Sequence, residues 1–287
     1  MTSKEKSAQL IDRHAHKLRC PICHGSLQVV ELRIIVCGNN HSFDLAKQGY
    51  VNFLSRPVTS QYNRELFLSR QKIITESDLY QSLHAEIVDI LKRRMADLDI
   101  ILDAGCGEGS HLQQIVNELD GPVAGVGLDI SKEGVKLAAG SYKSSIWFVG
   151  DLANLPMADQ SNDVILNILS PANYEEFKRV LKPDGIVMKV VPRDHYLREL
   201  RQAVGKENET SDSTVSLFKQ HFNLVDHIEL NEKIKLDQTQ LNDLVKMAPL
   251  AWNASPEQVH QFTSQETADI TVDLDLLVGR IKLPPRG

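Results

Sequence analysis

Five short apolar runs, at residues 100–102, 123–129, 146–151, 164–168 and 186–191, are spaced by segments of helical length at 111–119, 132–139 and 174–181. Runs of this length bounded by turns read as buried strands. Strands alternating with helices bury both faces of a parallel sheet, so the order predicts an α/β, doubly wound fold from about residue 99 onward. Two later runs, 222–230 and 270–277, read as further strands flanking a polar helix at 238–246 and the string MAPLAW at 247–252. Upstream, Phe67, Ile73, Ile74, Leu79, Leu83, Ile87, Ile90 and Leu91 recur near helical spacing across residues 61–95. Pro57 and the polar stretch around Ser60 read as a linker.

The ends of the first three runs carry the chemistry. The first runs into DAGCGEGS, residues 103–110, where Asp103 precedes glycines 105, 107 and 109. Such a turn lets the backbone approach a ligand closely and opens a helix whose first N–H groups are free. The spacing is GxGxG rather than the GxGxxG of dinucleotide folds. The second run ends in Asp129, placed to accept ribose hydroxyls, and the third in Gly150-Asp151, placed to face an adenine amino group. Three acids on one edge of a parallel sheet make an adenosine-shaped site.

Three of the four cysteines fall in the first 40 residues, spaced Cys20-x2-Cys23-x13-Cys37-x3-His41. Two close pairs of soft ligands suit a closed, tetrahedral, structural Zn²⁺. His24 is a rival ligand, but its adjacency to Cys23 makes joint ligation awkward. The net charge of −6 argues against a nucleic-acid partner until its distribution is considered. Residues 1–75 hold 11 Lys/Arg against 5 Asp/Glu, a net of +6, and the remainder carries −12. A basic quarter on an acidic body suits a module that meets phosphates; Lys47, Arg56, Arg64 and Arg70 are its candidate contacts. No run has the ~18 apolar residues of a membrane helix, and the polar N-terminus shows no signal peptide, so the expected location is cytoplasmic.

The series DAGCGEG, GLDIS, VGDLANLPMAD, DVILNILSPAN and LKPDGIVMKVVP resembles the class I (Rossmann-like) methyltransferases that use S-adenosylmethionine. Together with the zinc spacing, HSFDLAKQGYVNF (41–53), SPANYEEFKRVLKPDG (170–185), PRDHYLREL (192–200) and MAPLAW, nearly the whole chain resembles the RlmA family of 23S rRNA (guanine-N1) methyltransferases. SPANY and VGDLA look closer to the Gram-positive branch that includes the tylosin-resistance methyltransferase. The resemblance implies a zinc-binding RNA-recognition module over 1–60, a helical linker over 61–98 contributing to the cofactor site, and a methyltransferase domain over 99–287. It implies zinc on Cys20, Cys23, Cys37 and His41. It also implies cofactor contacts at Gly107, Glu108, Tyr80 and His195, with Tyr196 as the alternative after a one-residue shift. The expected reaction moves a methyl from adenosylmethionine to N1 of a guanine in a 23S rRNA hairpin, with an expected effect on macrolide susceptibility. The family often places an aromatic after GEG; this chain has Ser110-His111. Asn167, Ser170 and Asn173 flank the end of the fourth run, where an acceptor base would be oriented or where they simply cap turns; no proton acceptor is identifiable. A small-molecule methyltransferase braced by a zinc knuckle is the alternative, since such cores serve many acceptors. The oligomer is open, a homodimer included.

Overall fold

The computed structural model describes residues 2–56, 58, 62–206 and 212–282. The expected linker residues Pro57, Ser60 and Gln61 lie outside the described residues. The chain begins with α1 (Ser3–Arg13), whose entry is a reciprocal cap: Thr2 accepts from the Glu5 N–H at 3.3 Å, and the Glu5 carboxylate accepts from the Thr2 N–H at 2.8 Å. Then β1 (Leu27–Val30), β2 (Ile34–Cys37) and β3 (Ser42–Asp44) form a three-stranded antiparallel sheet around the cysteines. β4 (Tyr50–Asn52) leaves that sheet. The helical stretch upstream of residue 99 splits into α2 (Arg64–Glu76) and α3 (Gln81–Arg94), broken where the Ser77 hydroxyl donates back to the Ile73 carbonyl.

The body alternates as expected: β5 (Ile100–Ala104), α4 (Ser110–Asn117), β6 (Ala124–Asp129), α5 (Lys132–Ser141), β7 (Ile146–Val149), β8 (Asn162–Ile168), α6 (Tyr174–Val180) and β9 (Leu181–Pro192). It closes with α7 (Arg198–Ala203), α8 (Asp212–His221), β10 (Phe222–Asp237), α9 (Gln238–Met247), α10 (Pro256–Thr263) and β11 (Thr267–Ile281). The large sheet runs β10-β11-β9-β8-β5-β6-β7-β4. Strands from β4 to β9 are parallel, and β11 and β10 add antiparallel at the far edge. The order reverses between β5 and β8, the switch point where ligands bind beyond the strand ends of such sheets. No helix among the described residues is long and apolar enough to cross a membrane.

The N-terminal segment is not a separate bead. β4 pairs in parallel with β7, so residues next to the cysteine sheet form one edge of the large sheet. Ile11, Cys20, Ile35 and Phe43 share one buried core with Ile100, Val126 and Phe148, and Phe53 joins the two parts edge-to-face, 4.8 Å from Phe43 and 5.1 Å from Phe148. Polar contacts reinforce this seam. Lys17, buried, pairs with Asp99 at the base of β5. Arg19 reaches Asp159 at 3.2 Å, and the Asn154 amide donates to the Pro21 carbonyl at 2.7 Å. Two of the basic residues counted toward a phosphate-binding surface are therefore spent on the acidic body.

Arg179 on α6 organises the loop against which this segment packs. Its guanidinium donates to the carbonyls of Met157 (2.7 Å) and Leu155 (3.0 Å) and pairs with Glu176 and Asp159. A planar fork satisfied on every side is strong, and removing it strands buried carbonyls and a carboxylate. Arg179→Ala should cost roughly 2–4 kcal/mol and lower the thermal midpoint by several degrees. Calorimetry showing an unchanged midpoint would remove Arg179 from this role.

Candidate active site and metal centre

The four expected zinc ligands converge. Their donor atoms all lie within 4.8 Å of one another, and the cysteines are free thiols. Cys23 Sγ is 3.6 Å from Cys37 Sγ, Cys20 Sγ is 3.6 Å from His41 Nδ1, and Cys37 Sγ is 3.4 Å from the same nitrogen. Bonds of about 2.3 Å to sulfur and 2.0 Å to nitrogen give tetrahedral edges of roughly 3.5–3.8 Å, so the spacing fits one Zn²⁺. The Gly25 backbone N–H is the main influence holding the Cys23 thiol down to about 6, favouring thiolate. His24 is exposed and is not part of the cluster.

Beyond the parallel strand ends lies a cavity of about 940 Å³. Tyr80, Gly105, Gly107, Asp129 and Asp151 line it. Gly105 has φ +90°, and a Cβ there would sit 1.9 Å from the Ser170 hydroxyl, so the turn passes flush against the loop after β8. Gly109, φ +81°, answers to packing instead: its Cβ would strike Trp147 at 2.3 Å. Asp129 accepts the Gly107 N–H at 2.8 Å through one oxygen and the Ser131 N–H at 2.7 Å through the other, so it braces the turn as well as facing the cavity. His111 lines the cavity beside the glycine turn, its ring edge-to-face with Tyr80 at 5.0 Å. It is held by His84, Nε2 to Nδ1 at 2.8 Å, and burial keeps His84 near 4 and His111 well below the usual imidazole range, so both are neutral.

Asp103 and Glu108 do not line the cavity; both are buried, and Arg70 compensates them. Arg70 lines the cavity and its Nε lies 3.1 Å from a Glu108 oxygen. It had been grouped with the phosphate contacts, but its ion pair turns it inward. Both Glu108 oxygens are buried without a hydrogen-bond partner. The cradle in front of them is what suits a nucleoside: Gly105 and Gly107 bring bare backbone to the cavity, and the Asp129 and Asp151 carboxylates on its wall can accept from hydroxyl and amine donors, so the lining fits adenosylmethionine. His195 is exposed, its N–H given to Asp273 at 2.9 Å, and it lies off the cavity lining. Its neighbour Tyr196 is buried against the cavity and bonds the Tyr80 hydroxyl. Of the residues beside β8, Asn173 caps α6 by accepting the Glu176 N–H at 3.1 Å, and Asn167 donates to the carbonyls of Ala104 (2.6 Å) and Pro171 (2.9 Å). Sequence reasoning passed over Lys189, buried and on the cavity wall.

Burial, with Asp129 and Glu108 adding repulsion and Arg70 opposing, pushes the Asp103 carboxyl up to about 7. A carboxyl raised on folding binds protons more tightly in the native state, so its burial costs nothing below its unfolded value near 4 and costs stability as pH rises toward 7. Asp103→Asn should therefore stabilise the apoprotein by roughly 1–3 kcal/mol at pH 8, with the gain shrinking toward pH 5; melting curves that shift equally at both pH values would refute this. Cys37→Ser should leave less than one zinc per chain by metal analysis and lower the melting point of the whole chain. Full zinc occupancy in that variant would exclude Cys37 as a ligand.

Comparison with known proteins agrees with this division. Residues 18–61 match the family model for the RlmA N-terminal zinc ribbon, and residues 96–248 match a methyltransferase domain model. A Bacillus subtilis protein provisionally named as a 23S rRNA (guanine-N1) methyltransferase is 39% identical over 270 residues, covering 91% of this chain and 96% of that one. The Streptomyces fradiae 23S rRNA (guanine(748)-N1)-methyltransferase is 31% identical, covering 84% and 88%. Among solved structures, the PH0226 protein of Pyrococcus horikoshii is loosely alike, with a TM-score of 0.46 and 18% identity over 72% of this chain and 94% of that one. With a ribbon model, a methyltransferase model and relatives matched along nearly its whole length, this chain belongs to the RlmA family of 23S rRNA (guanine-N1) methyltransferases.

Proposed function

We propose that the chain transfers a methyl group from S-adenosylmethionine to N1 of a guanine in a hairpin of 23S ribosomal RNA. The observation that carries this reading is the pairing of a chain-long match to the Streptomyces fradiae enzyme with a strand-end cavity of cofactor size. Adenosylmethionine, when bound, supplies an electrophilic methyl on sulfur. The chain's part is to hold the cofactor and the acceptor in line and keep water out. Tyr80, Asp103, Gly105, Gly107, Glu108, Gly109, Asp129 and Asp151 are the proposed cofactor residues, Gly109, Asp103 and Glu108 acting from behind the lining. Tyr196 takes the place first given to His195.

Guanine N1 lies on the pairing edge, so the target base must leave its stack to be reached. Tyr62 and Trp252 offer a surface for it: both are more than 40% exposed, their rings stand 5.5 Å apart, and Tyr62 lines the cavity. Exposed aromatic rings are the usual platform for an unstacked base. In this reading, residues 1–60 recognise the RNA, 61–98 link that module to the cofactor site, and 99–287 carry the transfer. Lys47, Arg56 and Arg64 are exposed and have no acidic partner among the described residues, which suits phosphate contact. A ribosomal substrate implies action in the cytoplasm. The four zinc ligands and the described cavity lining all come from one chain.

Mass spectrometry of nuclease-digested 23S rRNA after reaction should find a methyl on N1 of one guanine. Methyl on another base or ring position, or transfer only to a small metabolite, would overturn the reading. Replacing Lys47, Arg56 and Arg64 together by Ala should flatten the salt dependence of RNA binding by up to about three units of slope, with unchanged cofactor affinity. An unaltered slope would place the RNA elsewhere.

A further inference from the structure

The acceptor N1 carries a proton that methylation must remove, and neither Asn167 nor Asn173 is a base. Among the described residues, Lys189 is the one lysine buried on the cavity wall; Lys206 also lines it and is exposed. Its strand position pairs in register with Asn167 of β8, beside the switch point. Nζ donates to Asn167 Oδ1 at 2.6 Å and to the Ser170 carbonyl. Asn167 cannot rotate away, because its amide is spent on Ala104 and Pro171. Two N–H donors of the amine are thus fixed toward the loop after β8. In the neutral form, the remaining position on nitrogen is a lone pair, and Ser170, one of the two groups that orient it, also lines the cavity.

We propose that Lys189 is the catalytic base that takes the N1 proton of the target guanine. This rests on the reading of the substrate as a guanine N1. The N1–H bond breaks and its proton passes to Nζ, giving an ammonium. The electron pair left on N1 forms the new bond to the methyl carbon, and the carbon–sulfur pair departs with sulfur as a neutral thioether. Nζ then returns the proton to solvent.

The surroundings make the neutral amine accessible at working pH. Burial brings Lys189 down to about 8, within the range where a base is both available and strong enough. The charged groups near it do not bond Nζ. Arg193 on β9 is paired with Asp273 and Asp275 of β11, and Leu277 faces Lys189 in register. Asp163 of β8 is held by Lys182. Arg201 and Lys206 lie on the cavity wall, Arg70, Asp129 and Asp151 line the same cavity, and Asp103 and Glu108 sit behind the glycine turn.

The test uses the full chain with 23S rRNA. Lys189→Met should slow single-turnover formation of N1-methylguanine by about 10²–10⁴-fold, while adenosylmethionine affinity stays near the wild type and the melting temperature falls by a few degrees, because Asn167 Oδ1 loses its donor. Lys189→Arg keeps the charge but has no usable lone pair, and should be as slow. The wild-type rate should climb with pH and level near pH 8, and labelled Lys189 should titrate near the same value by NMR in the cofactor-free protein. An Arg variant at wild-type rate would show that a positive charge, not a base, is needed, and would overturn the proposal. So would a Met variant within a few-fold of wild type, or a lysine titrating near its usual value. If the wild-type enzyme makes no N1-methylguanine at all, the substrate reading fails instead, and the NMR titration still reports on the lysine.

Discussion

One guanidinium holds together the end of the parallel sheet where the glycine turn lies. Glu108 is wholly buried, Asp103 nearly so, and Asp129 closes the glycine turn with both oxygens. Three carboxylates gathered at strand ends repel one another and resist burial. Arg70, at 3.1 Å from Glu108, is the cation set among them. It comes from α2, which precedes the alternating body in the chain. The charge of the glycine turn is therefore balanced by a helix from outside the strand–helix repeat, and the two regions depend on each other for it.

This dependence explains what could be read in the residues and what could not. The zinc ligands were visible because the geometry of one ion dictates short, regular spacings between donors. The strand-end acids were visible because an apolar run followed by Gly or Asp is itself the pattern. Arg70 was not: its partner lies 38 positions away, and in a basic quarter it looks like one more surface charge. Lys189 interrupts the run MKVV and reads as a blemish in a strand rather than a group aimed at a cavity. The choice between His195 and Tyr196 turns on one residue of phase in the bend after β9, which periodicity cannot set.

The strand lengths show the same limit. β10 was expected to stop near residue 230 but runs to Asp237, pairing with β11 along its length except for a shift of register between Leu224 and Asp226. Its second half, NEKIKLD, looks like a loop because charges alternate with single apolar residues. That alternation suits an edge strand with one face in water, where lysines and glutamates also discourage further pairing. Likewise GYVNF reads as the tail of the zinc segment, yet Tyr50, Val51 and Asn52 lie in register with Trp147, Phe148 and Val149.

That last pairing has a geometric consequence. A ribbon tethered by a loose linker would sweep a volume and meet many surfaces. Here the ribbon is hydrogen-bonded to the rim of the catalytic sheet and wedged in place by Phe53. Any nucleic acid gripped by the ribbon is thus held at a fixed offset from the cavity. If the proposed reading holds, the molecule would behave as a caliper, with one jaw on a backbone and the other on a base. On that reading, the spacing between ribbon and cavity would select the nucleotide that can enter.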